Sequence, residues 1–70
     1  MRIEAGGFVA KHPTQVDVIF TAVTGEITAI VGDEQVLLKA PASAESPKDI
    51  PHGLSNDSGK TAEVLVIKLK

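Results

Sequence analysis

Two imidazoles are the residues most able to do chemistry in this chain. His12 follows a glycine-rich stretch, and His52 sits inside Pro47-Lys48-Asp49-Ile50-Pro51-His52-Gly53-Leu54-Ser55-Asn56. Histidine can bind a metal, carry a proton or hold a ligand near neutral pH. Two histidines on different strands, each spaced from glycine or proline turns, can be aimed at one interior point by a small β-structure. If the rings meet without a metal, charging both is unfavourable, and one should titrate below the ~6.5 of a free imidazole. No cysteine nucleophile and no phosphate-cradling glycine loop is present. Ser43, Ser46, Ser55 and Ser58 lie in polar or proline-rich stretches with no orienting carboxylate in evidence, so a nucleophilic triad is not expected.

The elements that must position these rings are strands. Runs rich in Val, Ile and Thr alternate with turn residues, which predicts an all-β sandwich or barrel. The expected strands are 7–11, 16–24, 26–31, 35–39 and 61–69, with another opening at Pro51-His52-Gly53. Gly25-Glu26, Gly32-Asp33-Glu34 and Asn56-Asp57-Ser58-Gly59 read as hairpin turns. Prolines exclude a central strand over 40–51 but permit an edge strand or a loop. Side chains two apart share a face of a strand. From His12 onward the even positions, His12, Thr14, Val16, Val18, Phe20 and Ala22, form the expected inner face. That describes a pocket with a polar mouth and an apolar floor. Gln15 and Asp17 fall on the outer face.

The chain has 70 residues, no cysteine and a formal net charge of −2. This length predicts a single domain over residues 1–70, one that buries only ~60% of its unfolded surface and gains from a partner. Ala62, Val64 and Val66 share one face of the last strand while Leu65, Ile67 and Leu69 share the other. A strand apolar on both faces is usually covered on both, which predicts a homodimer. The lysines are scattered and Phe8 and Phe20 are the only aromatics, so a nucleic-acid partner is not expected. No apolar run approaches the ~20 residues that cross a bilayer, and Met1-Arg2-Ile3-Glu4 does not read as a signal peptide. A soluble cytoplasmic protein with no membrane partner is the expectation.

The pattern resembles the cupin family, small antiparallel jelly-roll barrels marked by two sequence motifs. The first places a glycine before a His-x-His pair, then a glutamate and a closing glycine. Gly6, His12 and Gly25 match at the family spacing, with Thr14 in place of the second histidine and Val18 in place of the glutamate. In the second, Pro47, His52 and Asn56 match, while Pro41 and Asp49 stand where glycines belong. The resemblance runs from Gly6 to about Ile67 and implies a jelly-roll barrel of RmlC-like type.

Members carrying the full motifs resemble one another in holding a divalent metal with three histidines and a carboxylate. Carried over residue by residue, only His12 and His52 remain as ligands. Thr14 offers a neutral hydroxyl and Val18 nothing. A catalytic metal wants about three protein ligands plus an open position. The resemblance therefore implies an incomplete site, holding at most a weakly bound Zn, Ni, Mn or Fe ion. The leading expectation is a small-molecule-binding protein or one with a regulatory or structural part, with a ligand pocket drawn from His12, Thr14, Val18, Phe20, His52 and Asn56. The alternative is a metal-dependent enzyme of dioxygenase, isomerase or decarboxylase type using His12 and His52, completed by Glu45 or Asp49. A third reading places the function on an oligomer surface. Asn56, Pro47 and Pro51 also have ordinary structural roles as turn and backbone-fixing residues.

Overall fold

The computed structural model describes residues 1–69. Eight strands follow one another: β1 (Arg2–Ile3), β2 (Phe8–His12), β3 (Val18–Thr24), β4 (Glu26–Val31), β5 (Glu34–Lys39), β6 (Ala42–Ser46), β7 (His52–Ser55) and β8 (Ala62–Lys68). They form two four-stranded antiparallel sheets, ordered β1-β8-β3-β6 (sheet I) and β2-β7-β4-β5 (sheet II). Consecutive strands repeatedly change sheet, which is jelly-roll topology. Among the described residues no helix is long and apolar enough to cross a membrane.

Between the sheets lie Ile3, Val18, Phe20, Ala22, Ile27, Ala29, Leu38, Leu54, Ala62 and Val64, all buried. Their spacing on β3, β4 and β8 follows the two-residue period of a pleated strand with one face inward. The expected inner face of β3 is therefore present as Val18, Phe20 and Ala22. Its extension back to His12 is not. Strand pairing is broken from Pro13 to Asp17, where proline has no N–H to give the ladder and the Thr14 hydroxyl donates to the Val16 carbonyl at 2.8 Å.

Two of the three expected hairpin turns are crossings between sheets. Gly25 joins β3 of sheet I to β4 of sheet II, with φ of 76°, and a Cβ there would stand 3.0 Å from the Thr61 carbonyl oxygen. The segment after Asn56 likewise carries the chain from β7 to β8 of the other sheet. Gly32-Asp33 is the true hairpin, a two-residue loop closing the Val31↔Glu34 pair of β4 and β5. Residues 42–46 take the edge-strand alternative, flanked by Pro41 and Pro47. The two-residue β1 on the opposite edge was not anticipated from its composition.

Candidate functional site

One end of the sandwich is built from two facing rungs. On sheet I, Ser46, Val18 and Lys68 pair side by side across β6, β3 and β8. On sheet II, His12, His52 and Val31 pair across β2, β7 and β4. The next rung inward is apolar, with Ala44, Phe20 and Val66 on one sheet and Val9 and Leu54 on the other. Between them lies a cavity of about 130 Å³, lined by Met1, Val9, His12, Val18, Phe20, His52, Gly53, Leu54, Val66 and Lys68.

A β-bulge brings His12 into this rung. Val9 pairs with Leu54 and His12 with His52, so Ala10 and Lys11 together oppose Gly53 alone. The extra residue reverses the parity of β2. Val9 and His12, of opposite parity in the sequence, consequently both line the cavity. Glycine is required opposite the bulge, because a Cβ on residue 53 would meet the Val9 carbonyl oxygen at 2.5 Å and the Lys11 nitrogen at 3.1 Å.

The two rings meet. Their centroids are 4.9 Å apart with planes at 61°, and Phe20 approaches His52 edge-on at 5.2 Å and 65°. The environments differ: His52 is 2% exposed, whereas His12 is exposed at the rim. His12 donates through Nδ1 to the Ala10 carbonyl at 3.0 Å, which leaves its Nε2 as the acceptor nitrogen. His52 Nδ1 shares a hydrogen bond of 3.1 Å with the hydroxyl of fully buried Ser46. Burial holds His52 below the usual imidazole range; the nearby Ile50 carbonyl opposes this, while His12 and Lys68 add smaller effects in the same downward direction.

The other anticipated site residues divide clearly. Val18 and Phe20 line the cavity as apolar wall. Thr14 lies outside the lining, with its hydroxyl engaged in the turn before β3. Asn56 is also outside it, fully buried. Its amide donates to the carbonyls of Ile3 (2.9 Å) and Lys60 (2.7 Å), and its oxygen accepts from the Ser58 N–H (3.1 Å) and hydroxyl (2.7 Å). That network ties β1 to the β7–β8 crossing.

Two residues at this end were not singled out from sequence. Lys68 shares the parity of Val64 and Val66, a signal that places it on the inner face. Ser46 shares that of Ala42 and Ala44, but reading it required knowing that 42–46 is a strand.

The donor set does not fit a resident catalytic metal. Among the described residues no group of three or more His, Cys, Asp or Glu is gathered. Glu45 pairs with Ile19 on the outward parity of β6 and is exposed. Asp49 is exposed at φ 66°, a left-handed backbone where the family motif has glycine, and its N–H donates to the Thr14 carbonyl at 2.8 Å. The Asp17 carboxylate accepts the Lys48 N–H at 2.8 Å. Two imidazoles remain, each with Nδ1 already engaged.

A family model for the cupin domain matches residues 1–68. No curated protein matches the chain. Among solved structures, TT1209 from Thermus thermophilus is 31% identical with a TM-score of 0.92, the match covering 96% of this chain and 65% of that one. A predicted oxalate decarboxylase from Thermotoga maritima is 20% identical, TM-score 0.90, covering 99% and 61%. Drosophila melanogaster CENP-C, solved bound to CAL1, is 13% identical, TM-score 0.88, covering 99% and 61%. The chain thus spans less than two thirds of the length of each. Two facing sheets in jelly-roll order, both motif histidines on one rung and the family match over nearly the whole length lead to one conclusion: this chain is a member of the cupin family.

Proposed function

We propose that this cupin domain binds a small molecule in the cavity between its two sheets and does so without a resident metal. One observation carries the reading: two imidazoles converge on an apolar-walled cavity, and no third metal-ligating side chain joins them among the described residues. Protein pockets combine an apolar wall with a few convergent polar groups, and this one follows that pattern on a small scale. Ser46 acts as a positioning residue, fixing the His52 ring from behind. The test is metal content after purification, followed by titration with Zn(II), Ni(II), Mn(II) and Fe(II). Weak binding that His52→Ala barely changes is expected. Stoichiometric binding at micromolar affinity or better, abolished by His52→Ala, would instead favour the metal-dependent enzyme reading.

A second copy of this chain is the partner favoured by the outer face of sheet I. Leu65 is 52% exposed, Ile67 40% and Val23 52%, and Ile19 pairs directly with Ile67. Glu63 and Glu45 stand at the margins of this group. An apolar centre with a charged rim is the anatomy of a protein–protein interface.

A further inference from the structure

We infer that the ligand class of this cavity is a small monoanion with a short apolar tail, anchored at the mouth by Lys68, beside the ring of His12. The inference rests on the small-molecule reading above and adds the chemistry of the occupant.

Size comes first. The cavity of about 130 Å³ is close to the ~150 Å³ of an engineered cavity that accepts benzene, and well below the ~300 Å³ at which drug-sized pockets begin. Sugars bearing nucleotides and other extended substrates do not fit inside it. A group of about benzene's size does.

Polarity comes second. Val9, Val18, Phe20, Leu54 and Val66 form the floor, and an apolar tail that displaces water there gains from leaving solvent. Among the described residues, the polar side chains of the lining are His12, His52 and Lys68, with no aspartate or glutamate. The chain as a whole carries a net charge of −2, so this local balance is the opposite of the molecule's.

Geometry comes third. Lys68 is the inner-face residue of its rung, paired with Val18 and facing the sheet that carries His12 and His52. A lysine stem lying along apolar wall with its ammonium at the rim leaves the charge in water until a ligand arrives. A carboxylate held by that ammonium receives a charge-assisted hydrogen bond, which is about twice as strong as a neutral one. A cationic ligand would meet the same ammonium as a like charge.

The probes are butyrate, n-butanol and butylammonium, titrated into the labelled protein while the ring Cε1–H signals of His12 and His52 are followed by NMR. Butyrate should shift both rings saturably, n-butanol should bind at least tenfold more weakly, and butylammonium should leave both unmoved. Lys68→Met, which keeps the stem and removes the charge, should weaken butyrate about tenfold or more and leave n-butanol unchanged. Lys68→Arg should retain butyrate, which separates loss of charge from loss of fold. Equal binding of butyrate and n-butanol, or butyrate affinity indifferent to Lys68→Met, would overturn the anionic class while the small-molecule reading stands. If none of the three probes reaches the rings at millimolar concentration, both the class and the reading on which it rests are overturned.

Discussion

His52 is boxed by Phe20, His12 and Ser46, and that enclosure sets how stability responds to acid. Its folded-state pKa is lowered, first by burial, relative to the ~6.5 of the unfolded chain. Above about pH 6.5 the imidazole is neutral in both states and its contribution is complete. As pH falls below 6.5 the unfolded chain takes up a proton that the folded one resists, so stability declines until the folded-state pKa is reached. Urea denaturation at steps from pH 7.5 to 5 should show this decline in the parent and a flatter profile in His52→Gln; identical slopes would contradict it. Asn56 belongs to a different part of the molecule. Asn56→Ala removes the side-chain bonds to the Ile3 and Lys60 carbonyls and the acceptor of the Ser58 N–H, and should cost about 2 kcal/mol or more, read as a drop in urea midpoint. Butyrate affinity should be unchanged in Asn56→Ala, since the side chain lies outside the cavity.

At the scale of elements, the β2–β7 pair holds the site together. The bulge at Ala10-Lys11 turns His12 inward, and Gly53 supplies the space it needs. Gly53→Ala would press a methyl group on backbone atoms of β2, which cannot move aside as a flexible side chain can. The expected cost is about 2–3 kcal/mol, with loss of the nuclear Overhauser contacts between the His12 and His52 rings. An alanine variant of parent stability with those contacts intact would remove the bulge from the account of the site. The β3–β8 ladder has a different task, because it sets Val18, Phe20, Val66 and Lys68 on one surface facing the rings.

Across the whole molecule, the proposed pairing through sheet I predicts a dimer in light scattering at micromolar concentration. Charging the centre of that face with Leu65→Glu and Ile67→Glu should yield a monomer that keeps its fold by circular dichroism, since both side chains point away from the core. A parent protein that is monomeric throughout the micromolar range would exclude the pairing. The same two-layer plan explains what could be read from one dimension. Alternation along β3 is a local property with a period of two, so Val18, Phe20 and Ala22 were legible as an inner face without any partner strand. The two histidines were legible through motif spacing, and Gly32-Asp33 through its turn chemistry. Which sheet a strand joins is decided by contacts remote in sequence, and that is why Gly25 and the segment after Asn56 read as hairpins but are crossings. The bulge at Ala10-Lys11 has the same origin, since it exists only where β2 lies against Gly53, and it alone put His12 on the face of Val9. Ser46 and Lys68 joined the site by register with Val18, a relation among three distant strands that backbone pairing sets and local composition does not encode.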